Sequence, residues 1–76
     1  MKKASTASEY TVIIEKSRTG YSAYVPDLPG CVAAAKTVSE TEELMRGAIS
    51  LHLEGMREDG DPIPEPAIIA RRISAK

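Results

Sequence analysis

Residues 20–31 read GYSAYVPDLPGC and combine a short β-strand with a tightly constrained loop. The first half alternates in polarity and predicts a strand over residues 21–25, which the following proline ends because proline cannot donate a ladder hydrogen bond. Pro29 and Gly30 favour a type II turn with the glycine at its second corner. Leu28 is the apolar residue between the two prolines, so we expect it to close the edge of the core.

The sequence on either side of this stretch predicts two more strands. Residues 10–15 read YTVIIE and are rich in the β-branched and aromatic side chains that strands prefer. Residues 16–20 form the hairpin turn between the first two strands, where Gly20 is expected to take a positive φ. Residues 31–37 follow as a third strand of mostly small side chains. Two short connections of this kind predict an antiparallel three-stranded sheet.

A long helix follows, and both of its ends carry sequence signals. Ser39 is expected to be the N-cap of a capping box with Glu42, so that the helix runs from about Glu40 to Asp59. Gly60 then ends it in the left-handed conformation. The apolar side chains of this helix cover about twice the width of an ordinary core-facing stripe. We therefore expect the helix to contact more than its own sheet.

The remaining segments complete an α+β fold. Proline occupies every second position of residues 62–66, which predicts an extended, polyproline-like strap. Ala67 to Ser74 reads as a fourth strand, and the helix with the strap is long enough to be a crossover connection. The predicted order is thus β-β-β-α-β in a single domain of residues 9–76. Residues 1–8 are small and polar and are expected to be a disordered leader.

Length and composition exclude several classes of protein. The chain has 76 residues without Trp or Phe, so its core is thin and we predict a homo-oligomer, either a dimer or a tetramer. A formal net charge of −1 argues against a strongly basic nucleic-acid-binding chain. One Cys and one His exclude an internal disulfide and a multi-His metal site. Without a secretory signal or a long apolar run, a cytoplasmic location is expected.

The charges are segregated along the chain. Acidic residues are concentrated between residues 40 and 66, whereas most of the basic residues lie outside that segment. One interpretation is a solvated helix face whose early acids favour the helix dipole. The other is an acidic surface that attracts a basic partner. The charge pattern alone does not decide between the two.

No residue pattern predicts catalysis, and we assign no catalytic, cofactor-binding or metal-binding residues. His52 lies within the apolar arc of the helix, where a packed or interface histidine is favoured over a general base. Cys31 is favoured as a small buried side chain over a reactive thiolate. A carboxylate cluster for a divalent metal is a weaker alternative, since most of its members crowd one end of the helix. Its members would be Glu15, Asp27, Glu58, Asp59 and Asp61.

Taken together, the ordered motifs resemble the HicB antitoxin family. The resemblance rests on YTVIIE at residues 10–15, on GYSAYVPDLPGC at residues 20–31 and on EDGDPIPEP at residues 58–66. It implies a partial RNase H-like β-β-β-α-β fold and an antitoxin that binds a small, basic, RNA-cleaving toxin of the HicA type. Many members carry a further C-terminal DNA-binding domain. This sequence has no such segment, so direct DNA binding is not expected.

The resulting prediction is a non-catalytic binding protein that masks the RNA-binding face of a HicA-like toxin. Two alternatives remain open, namely a vestigial RNase H-like metal-dependent nuclease and an oligomeric scaffold without a toxin partner. No cofactor and no membrane contact are expected. The predicted partner-binding residues lie in the Pro-rich loop and on the acidic helix, and they are Asp27, Leu28, Pro29, Gly30, Glu54 and Glu58.

Overall fold

A computed structural model describes residues 9–75, in which three strands are followed by one helix. The strands are β1 (Ile13–Lys16), β2 (Tyr21–Tyr24) and β3 (Val32–Ala35), and the helix α1 spans Val38–Asp59. The predicted leader, residues 1–8, lies outside the described residues. The antiparallel three-stranded sheet and the helix confirm the predicted α+β class.

The sheet has the order β1-β2-β3, and both neighbouring pairs are antiparallel. Ala23 lies at its centre, opposite Ile14 on β1 and Ala33 on β3. The helix α1 packs against β3 and β2. Because the central positions of these two strands are alanines, the helix can approach the sheet closely. Among residues 9–75, the buried apolar core is correspondingly small and consists of Ala23, Val25, Leu28, Cys31 and Met45.

The hairpin between β1 and β2 forms where it was predicted, but Gly20 is required for a reason other than the predicted positive φ. Lys16 pairs with Tyr21, and the Ser17 amide donates to the Gly20 carbonyl at 2.8 Å. Gly20 does not adopt a positive φ, so the expectation for its backbone was wrong. A Cβ atom at this position would lie 2.3 Å from the carbonyl oxygen of Ala35. Glycine is required here because the strand backbone passes too close for any side chain.

The helix begins two residues earlier than predicted, so the assignment of Ser39 as N-cap was wrong. Thr37 is extended, with φ −128° and ψ 161°, and its hydroxyl accepts the Glu40 amide at 3.1 Å. The same hydroxyl donates to the Glu40 carboxylate at 3.2 Å. Thr41 decides between the two starts, because its completely buried hydroxyl needs an acceptor and donates to the Thr37 carbonyl at 2.7 Å.

The C-terminal end of α1 confirms the prediction for Gly60, which is left-handed at φ 75°. Its amide donates to the Arg57 carbonyl at 3.2 Å, and the Asp61 amide donates to the Met56 carbonyl at 2.9 Å. This pair of bonds is a Schellman motif, and it satisfies two carbonyls that the helix itself leaves free. The sharp stop directs the chain back along the domain.

Residues 61–75 have no regular secondary structure, so the predicted fourth strand over Ala67 to Ser74 is not formed. Three contacts fasten the beginning of this segment. The Tyr10 hydroxyl donates to the Pro64 carbonyl, the Thr11 hydroxyl donates to the Ile68 carbonyl at 3.0 Å, and the Ala67 amide donates to the Asp27 carboxylate at 3.2 Å. A strand also requires a neighbouring backbone to pair with, and residues 69–75 are exposed.

Among the described residues, no helix is both long enough and apolar enough to cross a membrane. The helix α1 has the necessary length, but charged residues are spread along it from Glu40 to Asp59.

The corrected helix start yields a matched pair of stability variants. We expect Thr37→Ala to lower the free energy of unfolding by about 1 kcal/mol, because it removes the side chain that caps the helix. Ser39→Ala should change it by less than about 0.5 kcal/mol, because Ser39 is exposed and lies inside the first turn. Urea unfolding followed by circular dichroism measures both values. An equal loss in the two variants would contradict the assignment of Thr37.

Candidate functional site

Two consecutive turns hold the Pro-rich loop in one conformation. The Leu28 amide donates to the Val25 carbonyl at 3.0 Å and closes the first turn, and the Cys31 amide donates to the Leu28 carbonyl at 3.0 Å and closes the second. Gly30 has φ 88°, as the second corner of a type II turn requires. The Val25 amide donates to the Cys31 carbonyl at 3.2 Å across the base of the loop. The predicted turn is thus present and is anchored at both ends.

Leu28 is completely buried in the core, which corrects its assignment as a partner-binding residue. Its side chain packs with Val25, Cys31 and Met45, so it cannot contact another molecule while the loop is folded. Pro29 and Gly30, which follow it, are exposed. Leu28 therefore positions the loop, and the two residues after it present the loop to solvent.

Asp27, another of the predicted contact residues, is half-buried and has an intramolecular partner. Its carboxylate accepts the Ala67 amide at 3.2 Å. This bond fastens the segment after the strap to the Pro-rich loop. One of the carboxylate oxygens is therefore used within the chain, and the primary role of Asp27 in this structure is to hold those two segments together.

A shallow groove of about 290 Å³ connects the end of the loop with the helix. It lies between β3, which is an edge of the sheet, and one flank of α1. Gly30 forms its rim next to the exposed Pro29. The groove is lined by Gly30, Cys31, Val32, Ala48, Leu51 and His52. The structure thus brings the predicted loop residues and the helix to one surface.

The flank of α1 beside this groove is apolar and exposed. Leu51 is 71% exposed and Leu44, two turns earlier, is 52% exposed. Gly47 and Gly55 lie on the same flank, since residues three or four positions apart are neighbours on a helix. A Cβ atom at either glycine would meet no other atom within 4 Å. We call Leu44, Gly47, Leu51 and Gly55 the helix stripe.

The two glycines of the helix stripe are not explained by packing within the described chain. Each glycine in a helix interior lowers stability by about 0.5–1 kcal/mol relative to alanine. Alanine would fit at both positions, because no atom of the described residues approaches them. A flat, apolar helix flank of this kind permits the close approach of a surface from another molecule.

Acidic side chains border the helix stripe. Glu40 is one turn before Leu44, Glu54 is one turn after Leu51, and Glu58 is one turn further. All three are exposed. An exposed ion pair joins Arg46 to Glu43 at 2.9 Å, and it leaves those three acids uninvolved. The predicted contact residues Glu54 and Glu58 thus lie next to an apolar surface, which sequence reasoning had not connected with them.

The remaining candidates for chemistry lie in or near the same groove. Cys31 is buried in the groove floor, and desolvation raises the pKa of its thiol above the ordinary value. A raised pKa disfavours the reactive thiolate at neutral pH. His52 is half-buried at the groove wall. In residues 9–75, no three His, Cys, Asp or Glu side chains are placed so that they could hold a metal ion.

Residues 10–76 match the family described as HicB_like antitoxin of bacterial toxin-antitoxin systems. The chain belongs to the HicB-like antitoxin family. The match confirms the resemblance inferred from the loop motif and from the motif at the end of the helix. It also extends beyond those motifs over nearly the whole HicB-like chain.

Proteins from a phage, a cyanobacterium and an archaeon are similar to this HicB-like chain. A 14.9 kDa protein from the rep-hol intergenic region of Haemophilus phage HP1 is 43% identical over 65 residues, which are 86% of this chain and 49% of the phage protein. A UPF0150 protein of Synechocystis is 33% identical over 66 residues, or 86% of this chain and 84% of that protein. A UPF0150 protein of Archaeoglobus fulgidus is 41% identical over 56 residues, which are 70% of this chain and 81% of that protein. The chain thus spans about half the length of the phage protein.

A solved structure described as a HicA3 and HicB3 toxin-antitoxin complex contains a similar fold. The similarity has a TM-score of 0.68 at 30% sequence identity, and it covers 79% of this chain and 70% of the other. It therefore includes the sheet-and-helix arrangement as well as the sequence. That protein is found in complex with a toxin.

Sequence analysis identified the loop and expected the helix to contact more than its own sheet, but it assigned no residue of the helix stripe to the site. The sequence carries two signals of this surface: the apolar arc of α1 is too wide for one sheet, and two glycines, Gly47 and Gly55, lie inside the helix. Which part of the arc faces solvent depends on where the helix lies over the sheet, and no local pattern specifies that position.

The burial of Leu28 yields a prediction with an exact chemical control. Leu28→Ala should lower the free energy of unfolding by about 2–5 kcal/mol, because it leaves a cavity in a small core. Leu51→Ala makes the same substitution at an exposed position and should change it by less than about 0.5 kcal/mol. Urea unfolding at neutral pH measures both. A similar loss in the two variants would mean that Leu28 does not anchor the loop.

Alkylation of Cys31 reports on the same anchor in the folded protein. Iodoacetamide reacts with the thiolate, so burial and the raised pKa of Cys31 should make the reaction slow at pH 7.5. The rate should rise in Leu28→Ala and stay unchanged in Leu44→Ala, an exposed position that does not line the groove of Cys31, as followed by mass spectrometry under native conditions. Fast alkylation of the unsubstituted protein would show that the loop opens readily.

Proposed function

We propose that this protein is a non-catalytic, cytoplasmic antitoxin that binds and inhibits a small, basic, RNA-cleaving toxin of the HicA type. Membership of the HicB-like family and similarity to a chain of a HicA3–HicB3 complex support an antitoxin role. The observation that carries the proposal is the helix stripe, an exposed apolar flank that is bordered by exposed acids and lies beside the hydrogen-bonded Pro-rich loop. The proposed contact residues are Pro29, Gly30, Leu44, Leu51, Glu54 and Glu58.

The arrangement fits a protein partner better than a small substrate. The groove is shallow, and the apolar flank extends past it from Leu44 to Leu51, a distance of about 10 Å along the helix. Apolar centres surrounded by charged residues are typical of protein interfaces, where the rim excludes water from the central contacts. Leu51 is central in this arrangement, and the acids lie at its border.

The acidic residues that border the helix stripe favour a basic partner. A protein that binds RNA presents basic side chains to the phosphates. The same basic side chains would be attracted to Glu54 and Glu58, because opposite fields steer association and fix the orientation of the complex. An acidic rim therefore competes with RNA for one surface of the toxin, and the apolar stripe adds the contact area that RNA cannot supply. Inhibition follows from occupation of that surface and requires no chemistry.

The Pro-rich loop is suited to the same interface because it is already ordered. Binding a mobile loop would cost conformational entropy, whereas the two turns and the buried Leu28 fix Pro29 and Gly30 before any encounter. We assign Asp27 a supporting role, since its carboxylate holds Ala67. Its replacement should disturb the loop more than it removes a direct contact.

Variants of the helix stripe test the proposed interface. Binding of a catalytically inactive HicA-type toxin is measured by isothermal titration calorimetry. Leu51→Asp should weaken binding by about 1.5–3 kcal/mol, because a charge replaces a central apolar contact. This corresponds to a more than tenfold increase in the dissociation constant. The pair Glu54→Lys and Glu58→Lys should weaken binding chiefly at low salt.

Ala34→Asp is the control for these variants. Ala34 is exposed in the middle of β3 and lines neither the groove nor the stripe, so its replacement should leave toxin affinity unchanged. If Leu51→Asp does not change toxin affinity, the toxin binds a surface other than the helix stripe. If the toxin does not bind the unsubstituted protein at all, the antitoxin function is wrong and the scaffold alternative is favoured.

RNA cleavage separates the antitoxin from the nuclease alternative. The protein alone should not cleave RNA, with or without Mg²⁺, and an equimolar amount should stop cleavage by an active HicA-type toxin. Gel electrophoresis of a labelled RNA follows both reactions. Cleavage by the protein that requires a divalent metal and disappears in Asp27→Ala would instead support a vestigial RNase H-like nuclease.

A further inference from the structure

A second and larger groove lies on the opposite flank of α1, beside β1. It has a volume of about 660 Å³ and opens between the first strand and the first half of the helix. Tyr10, Val12 and Ile14 line one wall, and Met45 and Ile49 line the other. We call it the β1 groove. It shares no lining residue with the groove beside the helix stripe.

The β1 groove exists because the helix covers the sheet unevenly. The helix packs against β3 and β2, so the inward-facing residues of the β1 segment remain only half-buried. β1 is also an edge strand, since within residues 9–75 it pairs with β2 alone. An edge strand beside a half-filled apolar groove offers both backbone hydrogen-bonding groups and a surface for apolar side chains.

The segment after the strap has the complementary properties. Its isoleucines at positions 69 and 73 are 81% and 87% exposed, although each could bury a large apolar surface. The contacts of Pro64, Ala67 and Ile68 fix where this segment leaves the domain. Residues 69–75 are exposed, and none of them lines the β1 groove of their own chain.

We propose that residues 69–75 of one copy form a fourth strand on the β1 edge of a second copy, with Ile69 and Ile73 in its β1 groove. In a strand, alternate residues share a face, so Ile69, Arg71 and Ile73 enter together. The groove carries Glu9 and Glu42 for the arginine, while its own Arg46 is paired with Glu43 at 2.9 Å. Exchange in both directions closes a two-fold dimer and leaves no free groove.

This proposal gives a position to the predicted fourth strand and a route to the predicted homo-oligomer. It does not rest on toxin binding, because the helix stripe lies on the other flank of α1. The two proposals can therefore fail separately. A dimer without toxin affinity would contradict only the antitoxin function, and a toxin-binding monomer would contradict only the strand exchange.

Sedimentation velocity at micromolar concentration tests the dimer. The unsubstituted protein should sediment as a dimer, and the double variant Ile69→Asp, Ile73→Asp should raise the dimer dissociation constant at least about tenfold, because two apolar side chains lose their burial. Ala34→Asp, which touches neither groove, should remain dimeric. A monomeric unsubstituted protein, or a double variant that dimerises normally, would overturn the proposal.

Disulfide trapping identifies the occupant of the β1 groove even where the aspartate variant fails to fold. A chain with Ser50→Cys, at the groove wall, is mixed with a differently tagged chain that carries Ile73→Cys. Mild oxidation should give a disulfide between the two tags, located by peptide mass spectrometry, while the buried Cys31 stays unmodified.

In a chain that carries both cysteines, the same oxidation should give covalently linked dimers. A disulfide within one chain would show that the segment folds back onto its own groove, and the absence of any bond involving position 73 would show that the groove is not its binding site. Either result would overturn the exchange.

Discussion

The burial of Leu28 is the constraint on which both surfaces of this protein depend. A leucine between two turns can be buried only if both turns hold their shape, so the loop and the core stabilise each other. Because the loop is fixed, Pro29 and Gly30 are presented at the rim of one groove, and Asp27 can fasten the segment that follows the strap. A single apolar side chain thus connects the core, the candidate interface and the path of the last segment.

The small size of the core explains why so much apolar surface is exposed. Alanines at the centre of the sheet let the helix come close, but they bury little surface of their own. The larger side chains, such as Leu44, Leu51 and Ile69, remain accessible. A chain of this length cannot bury all of them in one layer of helix on sheet. Their exposure on the helix stripe and on the C-terminal segment leaves two separate apolar surfaces open to contact with other molecules.

The sequence was most informative where structure is local. The hairpin, the turn at Gly30 and the stop at Gly60 each depend on a few neighbouring residues, and all three were predicted. The helix start was missed because Thr37 and Ser39 each begin a plausible capping box, and the buried hydroxyl of Thr41, a tertiary effect, decides between them. Leu28 was placed correctly in the core edge yet also assigned to the interface, although one side chain cannot do both. The fourth strand depends on a partner backbone, which no local pattern supplies.

The charges on the two flanks of α1 explain how two partners could be told apart. The helix stripe is bordered by more acids than bases, so a second copy of this acidic flank would be repelled there, whereas a basic protein would be attracted. The β1 groove combines Glu9 and Glu42 with Arg46, and its proposed occupant carries two arginines among isoleucines. Since the two surfaces lie on opposite flanks, occupation of one leaves the other open. A dimer built through the β1 groove would then present two helix stripes, and each could hold one toxin.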